Sequence, residues 1–368
     1  MKTAFYWDEK CFWHFGGNYV SVAKVGGLVQ PLPTGGLPEN PETKRRLKNL
    51  MDVTGLSDEL DCRSAPAATT EDLLLVHPQS YLDAFKAKSD ADGGEIGLRT
   101  PFGPGAYEIC AQSTGLAIAA VESVLASEHD NAYSLSRPPG HHCLPDYPMG
   151  FCLFNNIGVA IRAAKRTRPN LRVAVVDWDV HHGNGTEAVF YEDPSVLTIS
   201  LHQEGNFPFD KGGAEDRGAG AGEGFNVNVP LAPGGGHDAY LYAYDRIVRP
   251  KLHAFKPDLI IVACGFDASG VDPLSRMLAT SETFDDLARR ALEDADALCG
   301  GKLVCTHEGG YSELHVPFCG HAVIARMAGA DIAAPDPLAE RIARHQPRGK
   351  AETFHRDWID EIAEGQGV

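Results

Sequence analysis

The segment Val175-Val176-Asp177-Trp178-Asp179-Val180-His181-His182-Gly183-Asn184-Gly185 concentrates side chains that can do chemistry. It begins as a β-branched run and ends in a glycine-flanked turn. Residues two apart along an extended chain face the same way, so the spacing predicts Asp177, Asp179 and His181 on one side. Carboxylates at the end of an apolar strand are costly unless they are paired or metal-bound. A solvated strand end accounts poorly for two Asp and one His on a shared face. A second apolar run, Leu259–Cys264, leads into Gly265-Phe266-Asp267-Ala268-Ser269 and offers another carboxylate. Alone, Asp267 would read as a helix N-cap. With Asp179 and His181 it forms an oxygen–nitrogen–oxygen ligand set. Three protein ligands with open positions describe a catalytic metal centre, whereas structural zinc is closed by four ligands, often thiolates. Zinc is the first candidate, and ferrous iron, cobalt and manganese accept the same ligand types.

Hydrolysis at such a centre also needs a proton acceptor and an oxyanion donor. Arg137-Pro138-Pro139-Gly140-His141-His142 follows a predicted strand and supplies two imidazoles. Histidine suits proton transfer because its unperturbed pKa is about 6.5. Asp177 and Asn184 are available to orient the two rings. Glu308-Gly309-Gly310-Tyr311 follows another predicted strand, and a tyrosine hydroxyl on a Gly-Gly turn can approach an oxyanion closely. A lone His pair or a lone half-buried Tyr would more often be structural; their company gives them a role.

The elements that must position these groups are short apolar runs: Thr3–Trp7, Ala132–Ser136, Arg172–Asp177, Val196–Leu201, Phe225–Pro230, Leu259–Cys264 and Leu303–His307. Several lack alternation, as in strands buried on both faces of a parallel sheet. Helical spacing occupies Glu108–Ala126, Asn155–Arg166, Asp238–Phe255 and Ser281–Leu298, the last with Thr280 or Ser281 as N-cap. Strand–helix alternation predicts a doubly wound α/β sandwich, with ligands at the carboxyl ends of its strands. Two glycine-rich loops, Asp90–Gly105 and Gly205–Gly224, match neither a dinucleotide fingerprint nor a P-loop. They read equally as surface loops or as a substrate rim. No linker divides the chain, so residues 1–368 are expected to form one catalytic domain, with a helical tail over about 333–368.

The chain has 368 residues, 33 Lys+Arg and 50 Asp+Glu, for a formal charge of −17. That balance disfavours nucleic acid and anionic membranes as partners. No run of about 18 apolar residues predicts a membrane span. The nine cysteines are scattered without a C-x-x-C pair, which fits free thiols in a reducing cytoplasm better than a disulfide framework.

Arg137–His142, Gly150-Phe151-Cys152-Leu153-Phe154-Asn155-Asn156, Asp177–Thr186, Gly265–Asp267 with Asp272-Pro273, and Glu308–Tyr311 together resemble the signature set of the histone deacetylase / acetylpolyamine amidohydrolase family. The resemblance runs from the N-terminal strand to about residue 330. The Asp-Trp-Asp-Val-His-His-Gly-Asn-Gly form is similar to the class II branch and its bacterial deacetylase-like amidohydrolases. It implies an arginase/deacetylase-like α/β fold, an eight-stranded parallel sheet flanked by helices on both faces. It implies a zinc-dependent amidohydrolase that removes acetyl or other short acyl groups from amines such as acyl-lysine. Asp179, His181 and Asp267 would bind zinc. His142 would be general base and then acid, His141 with Asp177 would tune the site, Asn184 would orient His142, and Tyr311 would hold the oxyanion. Gly150 and Phe151 match one wall of an acyl-lysine tunnel and Phe207 the other. Glu95 would replace an acidic rim residue. The family also binds potassium: one ion at Asp177, Ser200 and Leu201 with the backbone of Asp179 and His181, a second at Phe190, Asp193, Val196 and Phe225.

The chain departs from family patterns in two places. Asn184 stands where other branches have Asp, so the His142 pKa should be less raised. Leu274, after Asp272-Pro273, lacks the acidic gatekeeper that polyamine-preferring members can place there. Acetylpolyamine, small amides and esters remain alternative substrates. A two-metal ureohydrolase is disfavoured because the next same-side position after Asp267 is Ser269, not a second Asp. A noncatalytic acyl-lysine sensor is disfavoured because every ligand and the tyrosine are present. A homo-oligomer that completes the rim is compatible with the sequence.

Overall fold

The computed structural model describes residues 2–15, 18–19, 23–24, 30 and 37–368; the other N-terminal residues of the expected domain lie outside the described residues. Eight strands form one parallel sheet: β1 Thr3–Tyr6, β2 Asp61–Arg63, β3 Asn131–Ser134, β4 Val173–Asp177, β5 Val196–Gln203, β6 Asn226–Leu231, β7 Leu259–Cys264 and β8 Leu303–His307. Their spatial order is β6-β5-β4-β7-β8-β3-β1-β2. Every neighbouring pair runs parallel, so all carboxyl ends share one edge.

The unbroken apolar runs have a direct packing cause. Val173, Val175, Leu259, Ile261 and Val304 enter a core on one face with Leu116, Ala120, Ile157 and Ile161. Ala174, Val176, Ile260, Val262 and Cys305 enter the core on the other face with Leu287, Ala291, Val323 and Ile324. Side chains alternate between faces, and both faces are covered by helices.

Helices lie where the spacing predicts them: Ala106–Leu125, Asn156–Thr167 and Ser281–Cys299. Thr280 caps the last, its hydroxyl accepting the Thr283 N–H at 3.1 Å. One expectation needs correction, and one strand was not foreseen. The helix predicted over Asp238–Phe255 is interrupted: α turns at His237–Ala243 and Arg249–Phe255 flank a π segment, Tyr244–Val248. Pro250 lacks an N–H, so the regular hydrogen-bond ladder cannot continue through it. Strand β2 has no apolar signature, since Asp-Cys-Arg sits half exposed on the sheet edge, where short charged strands are favoured. The tail forms helices Ala339–Ala343 and Lys350–Gln366. The second joins the core through Ile359, Ile362 and Ala363, and its Trp358 indole donates to the Pro230 carbonyl at 2.9 Å.

Candidate active site

The four motif-bearing loops leave strands β3, β4, β7 and β8, which are adjacent at the centre of the sheet. Strand β4 stops at Asp177, so Asp179 and His181 stand in the following turn and not on the strand. Simple alternation therefore does not align them. Hydrogen bonds shape the turn: the Asp179 N–H donates to Asp177 Oδ1 at 3.0 Å, and the His181 N–H to Asp179 Oδ1 at 2.9 Å.

Asp179, His181 and Asp267 converge, with one ligand atom from each within 4.8 Å of the others. His181 Nδ1 is 3.1 Å from Asp179 Oδ1 and 3.0 Å from Asp267 Oδ2. Both carboxylates are fully buried. Two buried like charges against one imidazole call for a cation. Gly309 completes the cradle: its N–H donates to Asp179 Oδ2 at 2.7 Å, and a Cβ there would lie 2.6 Å from that oxygen. The donor set fits zinc. Ser269 is not part of it, because its hydroxyl bonds His315 Nδ1 at 2.6 Å.

The two imidazoles have separate partners. His141 Nδ1 is 2.9 Å from Asp177 Oδ2, and His142 Nδ1 is 2.7 Å from Asn184 Oδ1. Asp177 thus turns to His141 and away from the ligand set. Burial opposes a charge on His141, but Asp179 and Asp177 hold its pKa up to about 10. His142 goes the other way: burial, then His141 and His181, push it well below the ordinary histidine value. The expectation of a less raised His142 becomes a lowered one, because burial and the two neighbouring imidazoles outweigh the upward pull of Asp179 and of the hydrogen bond to Asn184.

Tyr311 is buried, and burial together with Asp267 and Asp179 keeps its hydroxyl protonated, far above the ordinary tyrosine value. Its backbone N–H donates to Asp272 Oδ2 at 2.8 Å, while Asp272 Oδ1 accepts the Leu274 N–H at 2.9 Å. Burial and Asp267 push the Asp272 carboxyl up to about 8. Glu308 Oε2 accepts the N–H groups of Gly140 at 2.7 Å and His141 at 3.0 Å, which fixes the histidine loop to the tyrosine loop. Burial raises the Glu308 pKa to about 7 against the pull of His141 and those two N–H groups. Arg137 is fully buried and forks onto Glu39 at 2.9 and 3.0 Å.

A cavity of about 400 Å³ opens above these groups, with His142, His181 and Tyr311 in its lining. Gly150, Phe151 and Phe207 form its walls, and Glu95, Arg99, Phe209 and Leu274 also border it. The Phe207 ring meets His142 edge-on at 5.0 Å, and Phe151 meets Tyr311 at 5.8 Å. Gly150 has a φ of 52°, and a Cβ there would strike the His142 ring and lie 2.9 Å from Phe207. Only glycine lets the wall approach the His142 ring this closely. Both glycine-rich loops thus reach the cavity, one through Glu95 and Arg99, the other through Phe207 and Phe209.

Residues 37–327 match the histone deacetylase domain. The chain belongs to the histone deacetylase family. It is 56% identical over 367 residues to a histone deacetylase-like amidohydrolase of Pseudomonas aeruginosa, covering 100% of this chain and 97% of that protein. It is 37% identical over 303 residues to a probable deacetylase of Archaeoglobus fulgidus, covering 81% and 84%. The crystal structure of the HDA15 HD domain superposes with a TM-score of 0.81 at 28% identity, covering 100% of this chain and 97% of that one. The eight-stranded deacetylase-like fold expected from the motifs is present, and the family acts on amide bonds.

Within this histone deacetylase framework the remaining expected residues are placed as follows. Ser200 is the register partner of Asp177, and its hydroxyl bonds His202 Nδ1 at 2.9 Å; Leu201 follows it on β5. Val196 begins β5, and Asp193 lies three residues before it. The carbonyls of Phe190, Asp193 and Phe225 accept N–H groups of Asp193, Val196 and Thr198 at 2.9, 3.2 and 2.9 Å. Glu95 Oε1 accepts the Thr100 N–H at 3.0 Å. Sequence reasoning did not single out Glu308, Asp272 or Arg99 as site residues. The first two stood inside recognised motifs, so their burial beside reactive groups was the missing signal. Among the described residues, no helix is long and apolar enough to cross a membrane.

Proposed function

We propose that this chain is a zinc-dependent amidohydrolase that removes acetyl or other short acyl groups from amines such as acyl-lysine. The carrying observation is the convergence of Asp179, His181 and Asp267 at 4.8 Å or less beneath an apolar cavity that also exposes His142 and Tyr311. Asp179, His181 and Asp267 would hold the zinc, which supplies Lewis acidity toward the acyl carbonyl and lowers the pKa of water.

The chain's own groups do the rest. Asn184 Oδ1 accepts the Nδ1–H of His142 and leaves Nε2 free to take a proton. With its pKa lowered, His142 is neutral near pH 7 and ready to act as a base. It then returns the proton to the departing amine. His141, held charged by Asp177 and Asp179, stabilises negative charge that develops nearby. Tyr311 donates its hydroxyl to the oxyanion formed at the acyl carbon. Phe151, Phe207 and Gly150 wall an apolar passage that suits an unbranched alkyl stem.

A potassium ion at Asp177, Ser200 and Leu201 with the Asp179 and His181 carbonyls is likewise proposed from the family resemblance. The second site, at Phe190, Asp193, Val196 and Phe225, rests on the family resemblance. Nine free cysteines, eight of them buried, support a reducing cytoplasmic setting, and one catalytic domain spans the chain. The test is a hydrolysis panel of acetyl-lysine peptide, acetylpolyamine, short acyl amide and ester, with metal content measured alongside. Unchanged turnover after complete removal of metal would refute the reading.

A further inference from the structure

Arg99 stands at the mouth of the catalytic cavity. Its guanidinium carbon lies 5.5 Å from the Phe207 ring centre and 5.9 Å from that of Phe209. Its backbone has a φ of 58°, a left-handed conformation that few non-glycine residues adopt and that recurs at functional sites. The loop is laced to the cavity wall. The Arg99 carbonyl accepts the Phe151 N–H at 2.9 Å, and the Leu98 carbonyl accepts the Gly150 N–H at 3.0 Å. The residues that follow Leu98 and Gly150, paired through these bonds, thus carry the guanidinium and the tunnel phenylalanine.

Among the described residues, charge around the mouth is sparse. Their cavity lining contains one acidic side chain, Glu95, and one guanidinium, Arg99. Glu95 is turned back into its own hairpin, where Oε1 accepts the Thr100 N–H at 3.0 Å. Leu274 offers no charge. Among the described residues, the contacts of the Arg99 guanidinium are the two aromatic rings, with no carboxylate partner. Stacking uses the flat face of a guanidinium and leaves its edge N–H groups, whose fork geometry matches a carboxylate.

We infer that Arg99 is a specificity-determining residue: it favours acylated amines that carry a carboxylate beyond the alkyl stem and disfavours those that carry a second ammonium. The inference rests on the amidohydrolase reading and narrows its substrate class toward acyl-amino acids and acidic acyl-peptides, away from acylpolyamines.

Three probes with one acyl group and one six-carbon stem test it: 6-acetamidohexanoate, N-hexylacetamide and N-acetyl-1,6-diaminohexane. For the metal-loaded wild type, kcat/KM should fall in that order, with about tenfold between the anionic and cationic probes at low ionic strength. The spread should shrink as salt rises to about 0.5 M, because an exposed charge is screened. R99Q should bring the three values together, and R99E should reverse their order. E95Q should widen the anionic preference. A wild type that prefers the cationic probe, or an R99Q variant that keeps the wild-type ratios, would overturn the inference while leaving amide hydrolysis intact. Failure of the wild type to turn over any of the three would count against the hydrolase reading itself and remove this inference with it.

Discussion

The backbone N–H of Tyr311 donates to Asp272 Oδ2 at 2.8 Å, and the other oxygen of that carboxylate holds the Leu274 N–H at 2.9 Å. One buried side chain therefore ties the backbone of Tyr311 to the loop at the cavity rim. Asp272→Ala should lower kcat by about tenfold or more while zinc content stays near wild type, because a small displacement of a positioned group is amplified in rate. Steady-state kinetics with metal analysis reads the outcome. Wild-type kcat in that variant would show that Tyr311 is held by other contacts.

Tyr311 itself is predicted to matter far more. Tyr311→Phe removes one hydroxyl and should cost about 3 kcal/mol of transition-state stabilisation, roughly two orders of magnitude in kcat. Zinc binding should persist, because the hydroxyl is not among the ligand atoms. Near-full turnover would count against its role.

Asp179→Ala and Asp267→Ala should each lose both zinc and activity. Each substitution removes one of three ligands. Elemental analysis after dialysis is the direct measurement, and stoichiometric zinc with full activity in either variant would refute the ligand assignment.

Asn184 is predicted to set the pH range of the reaction. It orients His142 without adding charge, and His142 lies below the ordinary histidine value. Asn184→Asp places a carboxylate beside the ring, which favours the charged imidazolium and raises its pKa. The base must be neutral to act, so the acidic limb of kcat/KM should move to higher pH. An unmoved limb would mean that His142 does not control it.

His77 gives a prediction about stability. Its Nδ1 lies 2.8 Å from the Pro145 carbonyl, and its Nε2 accepts the Asn155 N–H at 3.0 Å, so the folded chain needs the neutral ring. Burial, partly offset by the Pro145 bond, lowers its pKa to about 4. The unfolded chain takes up this proton near the ordinary value of about 6.5. The contribution of His77 is therefore complete above about pH 6.5 and is lost as pH falls toward 4, by up to about 1.4 kcal/mol per pH unit and on the order of 3 kcal/mol in all. Urea unfolding across that range should be flatter in His77→Asn than in the wild type. Parallel curves would remove His77 from the acid response.

Residue order alone determined the layered architecture, because apolar runs and helical spacing are local and each strand needs both faces covered. The same order carried the ligand types, the two imidazoles and the tyrosine, since each follows a core strand and parallel strands bring those ends to one edge. Tertiary structure decided the pairings. Alternation put Asp177 on the side of Asp179 and His181, but β4 ends at Asp177, and the turn brings that carboxylate to His141, the pairing that the family resemblance implied and the spacing alone did not. Glu308 clamps Gly140 across 168 positions, Asp272 clamps Tyr311 across 39, and Arg99 reaches the mouth through its bond to Phe151. A carboxylate or guanidinium looks the same in any sequence; its role comes from which distant backbone or ring it is buried against, and folding alone sets that distance.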